Sequence, residues 1–309
     1  MPVIAGLYSR GVELRHLRAA VAVADHLHFG RAAVELGIAQ PPLSQAVKAL
    51  ETELGVVLFE RDTRHVRLTA AGEVFVADAR ESLSLVDSAC TRARSAGRGD
   101  IGELVVGMVG SAALHPLPAV LGPYRARYPD VTVRFAELPT AGQLERLRNR
   151  TLDVGFVRPP LPAPADAELD VIPISREPLV VALPKGHRLA ARERIPVKLL
   201  AGESFVLFPR HLGPGLHDRV SALCRAAGFE PAVVQEAVQM QTIVGLVAAG
   251  CGVSIVPGSV AALTGFGTVF VKLSPATTLV ELALAAPKTR LSPVVANFVA
   301  MARDVTGVR

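Results

Sequence analysis

The feature that most limits what this chain can fold into is a change of rhythm at Gly97-Arg98-Gly99-Asp100. Before it, apolar residues recur at helical spacing. After it, short β-branched runs alternate with amphipathic helical stretches. LVVGMVG, VTVRFAEL, DVGFV, PLVVALP, FVLF, AVVQEAV, GVSIVP and VELALAA read as strands. LPAVLGPYRARYP, AGQLERLRNR, LHDRVSALCRAAG, TIVGLVAAG and VVANFVAMARD read as helices. This alternation predicts parallel sheets covered by helices on both faces. With 309 residues, half of them hydrophobic, the chain can build two or three domains with proper cores. The second part also repeats weakly. TAGQLERLRNRTLDVGFVRP and MQTIVGLVAAGCGVSIVPGS both run helix, turn, then a buried strand ending in proline. Two similar α/β halves facing each other make a cleft, and such sheets bind ligands at the carboxyl ends of their strands.

Upstream of the break, Leu14, Leu17, Val21 and Ala24 set out a first helix that should end near Phe29-Gly30. A second runs from Arg31 to Leu36 and stops at Gly37, a residue that tolerates left-handed dihedrals. After the turn Ile38-Ala39-Gln40, a third helix starts at Pro41-Pro42, where the first helical turn needs no N–H partner and proline fixes the entry angle. Leu43, Val47, Leu50 and Leu54 form its buried stripe, leaving Ser44, Gln45 and Lys48 exposed near its amino end. VVLFERDTRHVRLT then reads as a two-stranded wing with a basic tip. From Thr69 a long helix follows in which Val76, Ala79, Leu83, Val86, Cys90 and Ala93 step alternately by three and four. That is a heptad seam, so two copies can zip together along a helix of about 40 Å.

Charge alone does not find a partner. The formal net charge is +5, yet residues 1–98 hold 12 Lys+Arg against 11 Asp+Glu, a net of +1. Any basic surface there must come from placement. Cys90, Cys224 and Cys251 are too few and too scattered for a disulfide framework or a zinc site, which points to a reducing compartment. The stretch Ala237–Val271 carries no charge, but its glycines and Pro257 cut it into pieces shorter than the roughly 20 residues of a membrane span. No secretory leader is evident, so a cytoplasmic protein without membrane association is expected. The eight histidines are scattered and no hydrolase, zincin, P-loop or dinucleotide motif occurs, which argues against an enzyme and against any cofactor or metal.

FGRAA, QPPLSQ-x-x-K-x-LE-x-ELG-x-x-LFER and RLTAAG, within residues 13 to 72, closely resemble the winged helix-turn-helix of the LysR-type transcriptional regulators. The rest agrees in order and length with that family's linker helix and effector domain. VGFVR and QMQTIVGLVAAGCGVSIVP resemble the members that sense aromatic-degradation intermediates such as muconates. The resemblance implies an α/β protein with an all-α-rich head: an N-terminal winged helix-turn-helix, a long linker helix and a two-lobed, periplasmic-binding-protein-like (type II) effector domain. The expected bounds are 1–70 for the head, 71–96 for the dimerisation helix and 97–100 for a hinge. Lobe I is expected at 101–172 plus 276–309 and lobe II at 173–275. It further implies a homodimer or homotetramer that bends double-stranded promoter DNA, works with RNA polymerase and answers to a small organic acid.

On this basis Pro41 and Pro42 stiffen a recognition helix. Gln40 and Gln45 can each donate and accept, matching the edge of adenine, and Ser44 can reach a phosphate or a base. Lys48 suits a phosphate, Arg31 the DNA backbone, and Arg61, Arg64 and Arg67 on the wing the flanking groove. For the effector, Ser111 and Thr140 follow strands at turns presenting free N–H groups. Arg158 offers a fork to a carboxylate, while Phe208 and Gly215 supply the opposite wall. Ser111 and Thr140 can equally be plain helix caps, and Arg158 plain surface charge. The alternative within the same architecture is a thiol-based redox sensor using Cys224 and Cys251.

Overall fold

The structure is a computed structural model that describes residues 11–61, 65–163, 165–265, 267–274, 279–289 and 291–306. The chain forms two compact units divided between Arg94 and Ser95.

The first unit packs helices α1 (Leu14–His26), α2 (Phe29–Glu35) and α3 (Gln40–Leu54) against the antiparallel wing β1 (Phe59–Arg61) and β2 (Val66–Leu68). The break between the first two helices falls earlier than expected. Leu27 adopts φ 45° to end α1, and the His28 ring accepts the Arg31 N–H at 3.2 Å to cap α2. Phe29 therefore opens α2 instead of closing α1. Its ring enters the core edge-on to Phe59, with 6.2 Å between centroids. Gly37 takes φ 67° after α2. Pro41 and Pro42 lie in the first turn of α3, which begins one residue sooner, at Gln40.

Helix α4 (Ala70–Arg98) has 29 residues, about 44 Å at 1.5 Å per residue. Thr69 starts it, its Oγ1 accepting the Gly72 N–H at 2.9 Å and donating to the Val57 carbonyl at 2.8 Å. Gly72 is required by close approach: a Cβ there would stand 2.1 Å from the Leu58 carbonyl oxygen. The expected seam is divided. Val76 belongs to the core of the head and Ala79 is buried, whereas Leu83 and Val86 are half-buried and Cys90 and Ala93 exposed. The first two seam residues are thus used within the chain. Nor are residues 97–100 a loose hinge. α4 runs through Gly97 to Arg98, and Gly99, at φ 73°, is buried against Pro293 and Val294. The Asn297 amide donates to the Arg98 carbonyl at 2.9 Å, and Arg98 pairs with Asp100 at 2.8 Å. Gly99 ends the helix in the manner of a C′ glycine.

The second unit continues with β3 (Ile101–Met108), α5 (Pro116–Arg127), β4 (Asp130–Glu137), α6 (Thr140–Arg148), β5 (Val154–Val157) and α7 (Ala165–Glu168). Then come β6 (Leu169–Pro184), β7 (Arg194–Pro196), β8 (Ser204–Leu207), α8 (Pro214–Ala226), β9 (Ala232–Glu236) and α9 (Met240–Ala248). β10 (Ser254–Pro257), β11 (Thr268–Ser274), β12 (Leu279–Pro287) and α10 (Pro293–Thr306) complete it. β3 pairs in parallel with β4 and β5, and β12 lies antiparallel between β5 and β6. The last residues of β6 turn to β10 and β11, both antiparallel, while β7 joins β11 in parallel. The sheets are therefore mixed, not purely parallel, because the strands that cross between lobes run against the others.

The crossing itself departs from expectation. β6 is one 16-residue strand that serves both lobes, pairing with β12 up to Pro178 and with β10 from Leu179. The change of core falls at Pro178–Leu179, not at 172/173. Pro173 and Pro178 hide the strand's continuity in the sequence. The return crossing expected at 275/276 lies outside the described residues. Lobe I centres on Leu104, Tyr124, Phe156 and Phe298, with a second cluster around Leu144 and Leu147. Lobe II centres on Val181, Leu183, Phe205, Val244 and Ile255. Among the described residues no helix is long and apolar enough to cross a membrane.

Candidate nucleic-acid interface and effector cleft

On the head, the sequence stripe of α3 decides what is exposed. Leu43, Val47 and Leu50 are fully buried, so Gln40, Pro41, Pro42, Gln45 and Lys48 face outward, with Ser44 half-buried. Arg31 is exposed at the start of α2, its guanidinium donating to the His26 carbonyl at 3.0 Å. Arg67 is exposed on β2 opposite Glu60. Arg61 behaves differently. Its guanidinium lies 4.1 Å from the centre of the Phe29 ring and 3.7 Å from the Glu51 carboxylate. It fastens the wing to the helices instead of projecting from it. Arg64 lies outside the described residues. Glu51 was not singled out above, yet its Oε1 accepts the Leu58 and Phe59 N–H groups at 2.9 and 3.1 Å and so sets the entry to the wing. Its place in the motif L-E just before the helix end was the available signal.

In the second unit, the carboxyl ends of β3, β4 and β5 converge on one narrow cleft between the lobes. Ser111, Thr140, Arg158 and Phe208 line it together with Leu138, Gln239 and Met240. Gly215 does not. It is the second residue of α8, where a Cβ would stand 2.7 Å from the carbonyl oxygens of Arg158 and Pro159, and Gly213 takes the cleft position instead. Gln239 and Met240 occupy the place in the internal repeat that Pro139 and Thr140 occupy in its first copy, and this was the signal for them.

Arg158 is the centre of the cleft and only 6% exposed. Its Nη2 donates to Ser111 Oγ at 2.9 Å and to Glu177 Oε1 at 2.8 Å, and its backbone N–H reaches Thr140 Oγ1 at 3.3 Å. Ser111 and Thr140 are therefore partners of Arg158 and cap no helix with their side chains. Nη1 is buried and has no partner among the described residues. Burial lowers the guanidinium pKa, and the Glu177 carboxylate opposes that shift. An arginine stays charged even so. Glu177, in mid-strand on β6, was missed. Its other oxygen accepts the Ser259 N–H from lobe II at 2.6 Å, so this one carboxylate ties Arg158 in lobe I to lobe II. Gln143, also missed, is fully buried and donates to the Leu138 and Phe156 carbonyls at 2.8 and 3.1 Å, which holds the cleft-lining loop against β5. The free space in the cleft is about 30 Å³, enough for a water and far below the ~300 Å³ at which ordinary ligand sites begin. As it stands, the cleft is too narrow for an organic ligand and holds an incompletely satisfied cation.

Cys224 is fully buried in α8, and burial pushes its thiol up to about 11, the reverse of an activated thiolate. Cys251 is exposed on the turn after α9.

Comparison with known proteins agrees with this arrangement. Residues 14–73 match the family described as bacterial regulatory helix-turn-helix protein, lysR family, and residues 97–307 match the LysR substrate binding domain. The HTH-type transcriptional regulator AlsR of Bacillus subtilis (strain 168) is 38% identical over 288 residues, covering 93% of this chain and 94% of that protein. The uncharacterized HTH-type transcriptional regulator YnfL of Escherichia coli (strain K12) is 44% identical over 250 residues, 80% of this chain and 83% of the relative. Among solved structures, CbnR, a LysR family transcriptional regulator, superposes with a TM-score of 0.85 at 33% identity, covering 94% of this chain and all of that one. Full-length CbnR complexed with its target DNA gives a TM-score of 0.82 at 32% identity, covering 95% and 99% of the two chains. These relatives are transcriptional regulators. A helix-turn-helix head with an outward recognition helix, followed by a two-lobed effector domain, places this chain in the LysR family of DNA-binding transcriptional regulators.

Proposed function

We propose that this regulator is switched by a small carboxylate that enters the interlobe cleft and takes the free side of the Arg158 guanidinium. The observation that carries the reading is the buried, unpartnered Nη1 of Arg158. A carboxylate oxygen that accepts from Nη1 satisfies that donor with a charge-assisted bond, while Nη2 stays with Ser111 and Glu177. Ser111, Thr140 and Phe208 would orient the ligand, and the resemblance noted above favours an intermediate of aromatic degradation such as muconate. Because the cleft is narrow, a ligand larger than a water must widen it, and parting the lobes disturbs the contact from Glu177 to the Ser259 N–H. A ligand shifts such an equilibrium only through its difference in affinity for the two states. Here the difference is the pairing of Nη1.

On the DNA side, Gln40, Pro41, Pro42, Ser44, Gln45 and Lys48 form the reading edge, Arg31 and Arg67 hold the backbone, and RNA polymerase is the downstream partner in the cytoplasm. Leu83, Val86, Cys90 and Ala93 supply the seam for a homodimer that pairs into a tetramer. Two measurements test this reading. Muconate and related carboxylates should raise the melting temperature of the wild-type chain and not of Arg158→Gln. Gln45→Ala should weaken binding to the promoter in a gel-shift titration at fixed salt without dissociating the oligomer. Stabilisation by neutral sugars or cations alone, or an unchanged affinity, refutes the corresponding half.

A further inference from the structure

We propose that the effector domain carries a second small-molecule site, separate from the interlobe cleft, for an organic anion with an apolar body. The cavity lies along β6 and β11 and has a volume of about 690 Å³, within the usual range for small ligands. It is open and formed where the interlobe cleft holds about 30 Å³. Phe270, Leu223 and Leu279 give it apolar walls, and Arg194 and Lys272 give it charge.

Those two cations are the unusual feature. Lys272 on β11 stands directly opposite Arg194 on β7 in a parallel ladder. Like charges facing each other across a ladder are destabilising, and neither has a carboxylate partner among the described residues. The carboxylates nearby are already engaged: Glu281 pairs with Arg176, and Glu177 divides its oxygens between Arg158 and the Ser259 N–H. Ser259 contributes to the wall, though its hydroxyl oxygen, without a partner among the described residues, is itself buried. Two cations without carboxylate partners and an aromatic wall fit a carboxylate or sulfonate carried on a hydrocarbon or aromatic frame. The site does not depend on Arg158, so it stands or falls apart from the function proposed above.

The test uses the full chain and the fluorescent probe 1-anilinonaphthalene-8-sulfonate. Wild type should bind it with a saturable rise in emission, displaced by octanoate and not by octylamine. Arg194→Gln with Lys272→Gln should weaken the probe at least tenfold without lowering the melting temperature, since both side chains are exposed and their like charges oppose each other. Phe208→Trp, which fills the interlobe cleft, should leave the affinity within twofold. The proposal is overturned by absence of binding, by an affinity unmoved in the double variant, by equal displacement with octylamine, or by loss of binding in Phe208→Trp.

Discussion

Replacing Glu177 by Gln should destabilise the effector domain more than any surface substitution. The exchange keeps the size of the side chain and removes the charge that faces Arg158. Both partners are largely out of solvent, the Arg158 side chain 6% and the Glu177 side chain 16% exposed. Removing one member of a buried ion pair costs about 3–5 kcal/mol because the other charge is left uncompensated. The amide still offers an oxygen to Nη2, so the low end, about 3 kcal/mol, applies. For a unit of this size each kcal/mol moves the melting temperature by about 2–4 °C, hence a fall of roughly 6–12 °C. Arg158→Met removes the opposite charge, and the double variant should lose less than the sum of the two singles by at least about 1 kcal/mol. Differential scanning calorimetry of the full chain, following the transition of the second unit, reads all three. A shift under 2 °C for Glu177→Gln, or strict additivity in the double variant, would refute the view that this carboxylate neutralises Arg158.

Two further outcomes follow from packing and from burial. Gly72→Ala gains about 1 kcal/mol of helix propensity, but its Cβ would meet a backbone carbonyl at 2.1 Å, and overpacking of that kind costs about 1–3 kcal/mol. Urea unfolding of the head should therefore show a net loss; a gain would mean that α4 does not lie against Leu58. Tyr124 is fully buried, donates to the Val294 carbonyl at 3.1 Å, and is pushed up by burial from 10.0 to about 12, with Tyr128 adding to the shift. Its folded pKa exceeds the unfolded one, so its contribution to stability is complete below pH 10 and is lost as the pH rises through 12. Alkaline unfolding should fall in that window, and Tyr124→Phe should move it upward; an ordinary tyrosine titration near pH 10 in the folded state would contradict this.

What could be read from the residues was whatever local geometry decides. Pro41 and Pro42 constrain their own dihedrals, so the start of the recognition helix was visible within one residue. Ser111, Thr140 and Arg158 follow the ends of strands, and that position, together with the family resemblance, marked them. Ownership of a surface is not local. Val76 and Val86 have the same spacing and the same chemistry, yet one is in the core of the head and the other half-buried, which depends on what Phe29 and Leu58 do. Gly99 looked like a hinge because its partners, Pro293 and Val294, are far away in sequence. Glu177 sits between prolines in mid-strand, where no periodicity separates a buried charge from an exposed one.

The unbroken course of β6 has a mechanical consequence. Its ladder passes from β12 at Pro178 to β10 at Leu179 with no residue left unpaired between them. Rotation of one lobe against the other must be taken up by torsion along a hydrogen-bonded ribbon, which resists like a leaf spring. Such a joint favours small, elastic excursions that return once the load is removed, and it transmits them to both sheets at once.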